Sequence, residues 1–184
     1  MSILKRVISK YLYSFLLGGC LFSLVAQMPA NREYQVKAVF IFNFTQFVEW
    51  PANVFSGSNA PLVIGILGQD PFGSYIDQTV AGEKVKDHPL VVQRYRTIEE
   101  VKECHILFID RTEAANMKHI VTSLKGKSIL TVSDAANFIG QGGMIRFITE
   151  SNKIQFQINP EAAKAANLTI SSKLLRLAEI VVPN

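Results

Sequence analysis

The chain has 184 residues, 48% of them apolar and 18% charged, which is material for one globular domain with a real core plus an amino-terminal segment of its own. The formal charge of +4 gives no ground for nucleic-acid binding: the first 30 residues hold three basic and no acidic side chains, leaving 16 basic against 15 acidic in the rest. No basic run of the kind that tracks phosphates follows.

Lys5, Arg6 and Lys10 precede a mostly apolar run from Tyr11 to Ala26. This reads as a secretory signal over residues 1–30, with cleavage near Ala26 or Ala30. A retained anchor is the competing reading, but the run is short for a span and is broken by Ser14, Gly18, Gly19 and Ser23. The mature form is therefore expected to carry no membrane span. Leu17-Gly18-Gly19-Cys20 also fits a bacterial lipoprotein box, in which case Cys20 carries lipid and tethers the domain. With the signal removed, Cys104 has no cysteine to pair with, and burial at the head of an apolar strand is its expected state.

Residues 33–50, EYQVKAVFIFNFTQFVEW, read as a helix with Tyr34, Lys37, Ile41, Phe44 and Val48 on one line and Ala38, Phe40 and Phe47 beside it. A helix so nearly apolar all round must be covered by its own domain, a second copy or a partner. Trp50-Pro51 is its expected end. From Pro61 onward, apolar strands over 62–67, 90–94, 105–110 and 129–132 alternate with helices expected over 74–80, 98–103, 112–125 and from Ser133-Asp134 to Ile139. The pattern predicts a three-layer αβα fold around a mainly parallel, mixed sheet. Two alternating runs, 144–149 and 154–158, add a carboxyl-terminal antiparallel hairpin expected to extend one edge of that sheet. Asn159-Pro160-Glu161 opens a further helix, with asparagine as cap and proline at the first helical position. The last expected helix carries Lys173 and Arg176 among Leu174, Leu175, Leu177, Ile180 and Val181. A symmetric dimer is one way to cover that apolar face. Residues 31–184 are expected to form a single domain.

No motif here carries chemistry. Gly65, Gly68 and Gly73 do not match the dinucleotide fingerprint, and no phosphate loop or nucleophile elbow occurs. His88, His105 and His119 fall on different elements with no second ligand at metal spacing. Asp70, Asp110 and Asp134 follow strands, where aspartate commonly caps the next turn. No catalytic residue, cofactor or metal is expected. Small molecules bind open α/β sheets at the carboxyl ends of the strands, which makes Asp70, Phe72, Asp110 and Ser133 the candidate ligand pocket.

The order EYQVKAVFIFNFTQFVEWP, PLVIGILGQDPFG, CHILFI, ILTVSD, GGMIRF, KIQFQIN and ISSKLLRLA resembles the YfiR-like family of bacterial periplasmic proteins over residues 33–182. The resemblance implies a non-enzymatic repressor in the periplasm of a Gram-negative bacterium. Its partner would be the periplasmic sensor domain of a membrane-embedded diguanylate cyclase, and its effect lower cyclic di-GMP and less biofilm. Cys104 matches the family cysteine before HILFI, yet without a second mature cysteine the redox control of some members does not carry over. Partner binding would rest on a few aromatic, aliphatic and charged anchors; Phe147, Phe156, Glu161, Leu168 and Arg176 are the candidates. A periplasmic small-molecule sensor working with a receptor or sensor kinase is the alternative.

Overall fold

A computed structural model describes residues 30–182. The signal segment, its cleavage point near Ala26 and the Cys20 lipid box lie outside the described residues, whereas Ala30 opens the first helix. In chain order the elements are α1 (Ala30–Phe47), β1 (Val48–Glu49), β2 (Leu62–Leu67), α2 (Ser74–Val80), β3 (Lys84–Val85), β4 (His88–Tyr95) and β5 (Ile106–Ile109). There follow α3 (Met117–Ser123), β6 (Leu130–Ser133), β7 (Ile145–Glu150), β8 (Lys153–Ile158), α4 (Pro160–Ala165), β9 (Thr169–Ile170), α5 (Ser172–Leu175) and β10 (Glu179–Ile180).

Eight strands form one sheet in the order β10-β8-β7-β6-β5-β2-β4-β3. Pairing is parallel from β4 through β2, β5 and β6 to β7, and antiparallel in the β7–β8 hairpin and between β3 and β4. The central strands read as unbroken apolar runs because both faces are covered. Ile64, Ile66, Ile106, Phe108 and Val132 belong to the core beneath α1, α2 and α4, while Leu67, Leu107, Ile109 and Phe138 meet α3 on the opposite face. The fold is thus the expected three-layer αβα arrangement with a mixed sheet.

The hairpin follows from its turn. Ser151 and Asn152 take φ of 47° and 61°, the left-handed pair that a two-residue turn needs to match the twist of its strands. Asn159 caps α4 by accepting from the Ala162 N–H at 3.1 Å, as the Asn-Pro start predicts. Gly65 sits in β2 for steric reasons: a Cβ there would lie 2.6 Å from the Tyr95 ring and 2.8 Å from Cys104 Sγ. Cys104 is buried and unpaired; desolvation pushes its thiol pKa up to about 12, which keeps it an unreactive thiol.

Several local expectations differ. The helix expected over 98–103 is only a 3-10 turn at Ile98–Glu100. α1 ends at Phe47 rather than at Trp50, because Val48 and Glu49 pair antiparallel with Ile170 and Thr169 and the Phe47 carbonyl accepts from Ser171 N–H at 2.8 Å. The helix expected from Thr112 begins only at Met117, after a 3-10 turn that Asp110 caps. Ser133-Asp134 starts no helix; the Ser133 hydroxyl accepts from Ala135 N–H at 3.0 Å and a 3-10 turn follows only at Ile139–Gln141. The terminal helix shrinks to the four residues of α5, and the chain continues as β10, which pairs parallel with β8 and becomes the sheet edge. The hairpin is therefore an inner part of the sheet.

The aromatic helix and the hairpin cover each other. Phe44 stacks on Phe147 with centroids 5.8 Å apart, and Phe40 and Phe44 meet Phe156 edge-on at 5.5 and 5.6 Å. This places Phe147 and Phe156 at 1% and 4% exposure.

Candidate functional site

The strand order reverses beside β2: the chain leaves β2 for β4 on one side, then crosses to β5 and β6 on the other. In a doubly wound sheet a crevice opens at this switch point, beyond the carboxyl ends of the strands. Here it is a cleft of about 820 Å³ between the loop after β2 and the loop after β5, with α1 along one wall. Asp70, Phe72 and Asp110 line it together with Tyr34, Tyr75 and Arg111. Ser133 does not. It is fully buried and donates its hydroxyl proton to the Ile109 carbonyl at 2.7 Å.

The two loops are held rigidly from within. Asp70 Oδ1 accepts from the N–H groups of Phe72 and Gly73 at 2.7 and 3.2 Å. Its Oδ2 takes Arg94 Nε at 2.8 Å, and Arg94 also bonds both oxygens of Asp77 and the Gly73 carbonyl. The Arg94 hydrogen bonds hold the Asp77 carboxyl below its ordinary range. Asp110 Oδ1 accepts from Thr112 N–H at 2.9 Å and from the Thr112 hydroxyl at 2.6 Å. Asp70 and Asp110 thus cap turns as expected, but Asp134 does not.

Asp134 serves α1 instead. Its Oδ2 accepts from Lys37 Nζ at 2.6 Å and from the Tyr34 hydroxyl at 2.8 Å, while Lys37 also contacts Glu33 at 2.6 Å. Lys37 is 1% exposed and lies 4.4 Å from the Tyr34 ring centroid. Arg111 closes the network by donating from Nη2 to the Tyr34 oxygen at 2.7 Å. Burial and the neighbouring Asp134 carboxylate push the Tyr34 hydroxyl above its ordinary range, so it stays a neutral donor. Burial alone would raise Glu33, yet its bonds to Lys37 and Thr149 win and hold the carboxyl low. A cation this deep requires such pairing, since an unpaired buried charge is very costly. In the sequence Lys37 falls on the apolar line of its helix, with no partner in view. A lysine on that line was the available signal.

At the opposite ends of the strands, His88 and His105 flank Phe55, with ring centroids 3.8 and 4.5 Å from it. His105 is buried, and its Nδ1 accepts the Val63 N–H at 3.1 Å, so the ring proton sits on Nε2. Desolvation, followed by the proximity of His88, lowers its pKa to about 4. A base depressed in the folded state gives stability that is complete above its unfolded value, near 6.5, and is lost as pH falls toward the folded one. Chemical denaturation between pH 7 and 4 is expected to show this loss, and His105→Gln to flatten the histidine share of it. An unchanged slope in the variant counts against the assignment. Among the described residues, no group of three or more His, Cys, Asp or Glu is placed to hold a metal ion.

Of the five candidate partner residues, Phe147, Phe156 and Leu168 are buried inside the protein, and Glu161 and Arg176 are open to solvent. Near Arg176, Leu177, Ile180 and Val182 are the exposed large apolar residues of the terminal segment, at 72%, 47% and 61%. Leu177 and Ile180 belong to the terminal apolar run whose need for a cover is already visible in the sequence, although the helix expected to carry them ends at Leu175.

The fold and cleft define a doubly wound α/β domain whose strand-end charges are spent largely on holding its own loops and first helix. Residues 34–179 match the YfiR/HmsC-like family, and the chain belongs to that family. It is a family of periplasmic regulatory proteins. No curated protein matches the chain. Among the described residues no helix is long and apolar enough to cross a membrane.

Proposed function

We propose that the protein is a non-enzymatic periplasmic repressor that binds the periplasmic sensor domain of an inner-membrane diguanylate cyclase, lowering cyclic di-GMP and biofilm formation. The observation that carries this reading is family membership across most of the chain. A repressor can bias a two-state cyclase only by binding one state more tightly, and a shift from 1:99 to 99:1 takes about 5.5 kcal/mol of differential affinity. Such energy comes from a few buried anchors ringed by polar contacts. In this reading Glu161 and Arg176 meet the partner together with Leu177 and Ile180, while Phe147, Phe156 and Leu168 support that surface from beneath.

The test is co-purification of the exported protein with the periplasmic part of a cyclase encoded beside it, along with cyclic di-GMP measured in cells lacking the gene. A stable complex and raised cyclic di-GMP are expected. Combined Glu161→Ala and Arg176→Ala is expected to weaken the complex at least about tenfold while leaving the fold intact. Absence of a complex together with unchanged cyclic di-GMP defeats the repressor reading. A second reading, a small-molecule sensor acting with a receptor or sensor kinase, is favoured by the cleft at the switch point.

A further inference from the structure

The acids of the strand-end cleft are answered from within the protein, but its arginine is not. Asp70 is engaged by Arg94 and two backbone N–H groups, and Asp110 by Thr112. Arg111 is exposed, lines the cleft, and donates from Nη2 to a neutral oxygen, that of Tyr34. Among the described residues the ion pairs within 4.0 Å are those of Lys37 and Arg94, so no carboxylate is paired with Arg111. A planar guanidinium in a concave site with donors to spare is the group that best receives a carboxylate fork. Asp70 and Asp110 repel any anion that enters, Asp70 less because Arg94 is paired with it, so one carboxylate on Arg111 is the most negative charge the cleft favours. Tyr75, Gln69 and Gln78 supply flat aromatic and amide walls for the uncharged body of such a ligand.

The Tyr34 hydroxyl joins this site to the first helix. It accepts from Arg111 while donating to Asp134 Oδ2, the same oxygen that takes Lys37. A carboxylate that draws the guanidinium toward itself alters the partners of Tyr34, and α1 carries the Phe40 and Phe44 rings that cover the hairpin. We propose that the cleft is an effector site for a small organic monocarboxylate with a flat, uncharged body, seated on Arg111, and that occupancy is transmitted to α1 through Tyr34. This deepens the sensor reading and rests on it for its biological meaning.

The probe is benzoate titrated into the purified protein and followed by amide NMR, with benzamide and inorganic phosphate as comparison ligands. Benzoate is expected to saturate with an affinity of about 1 mM, shifting residues 69–75, 110–112 and, through the helix, 37–44. Arg111→Gln, at an exposed position, is expected to keep the spectrum of the folded protein and weaken benzoate at least about tenfold, the worth of one charge-assisted fork. Tyr34→Phe is expected to retain benzoate binding at the loops and lose the shifts on residues 37–44. Undiminished binding to Arg111→Gln, benzamide binding as tightly as benzoate, tighter phosphate, or no saturation overturns the site. Persistent shifts on α1 in Tyr34→Phe overturn the transmission. Complex formation with the cyclase domain is read separately, so failure of the repressor reading leaves this result standing.

Discussion

Asp134→Ala is expected to lower the free energy of unfolding in urea by about 3–5 kcal/mol, a loss typical of breaking a buried ion pair from one side. Lys37 is 1% exposed and keeps only Glu33 once Asp134 is gone, and the Tyr34 hydroxyl loses its acceptor in the same step. The remaining Glu33 contact sets the loss toward the lower end of that range. Lys37→Met combined with Asp134→Ala is expected to recover most of it, since an apolar side chain of similar length replaces a charge that no longer has its partner. A single-variant loss below about 1 kcal/mol, or a double variant no better than the single, is incompatible with a structural ion cluster under α1. Glu33 adds a pH signature. Its depressed carboxyl contributes stability that is present above the ordinary carboxylate range and is lost as pH falls through its lowered folded value.

Phe147→Ala is expected to cost about 3–5 kcal/mol, the range for deleting a fully buried aromatic ring. Phe147 is 1% exposed and stacks on Phe44 while meeting Phe40 at 6.1 Å, so its removal empties the joint between helix and hairpin. Phe147→Leu, which fills more of the volume, is expected to lose less. Arg176→Ala, at an exposed terminal position, is expected to stay within about 0.5 kcal/mol of wild type. The comparison bears on function. Under the repressor reading, loss of complex formation in Phe147→Ala reports an unseated α1, whereas its loss in the stable Arg176→Ala protein reports a contact. A Phe147→Ala protein as stable as wild type would remove α1 from the list of elements that shape the partner surface.

Much of the architecture was legible because its signals are local. Apolar runs buried on both faces, the Ser151-Asn152 turn and the Asn159-Pro160 cap each act within a few residues. What stayed hidden is settled at a distance. Asp134 resembles a turn cap until Lys37 arrives from the other end of the chain. The end of α1 is decided by β9, which competes for the backbone groups of residues 47–49. The apolar terminal run has helical character, yet β8 offers it an open ladder, and a segment that completes a sheet gains backbone partners that an isolated short helix lacks. In the cleft, Asp70, Phe72 and Asp110 follow from the rule of strand ends. Arg111 and Tyr34 require knowing that α1 lies across those ends.

The mutual cover of helix and hairpin also sets an order in time. α1 is synthesised before nearly everything it packs on, and Phe44 waits for Phe147 about 100 residues later in the chain, a separation that slows closure. The antiparallel pairing of Val48–Glu49 with Thr169–Ile170 spans a still longer stretch of chain. The first described helix thus depends for its cover on strands near the far end of the chain.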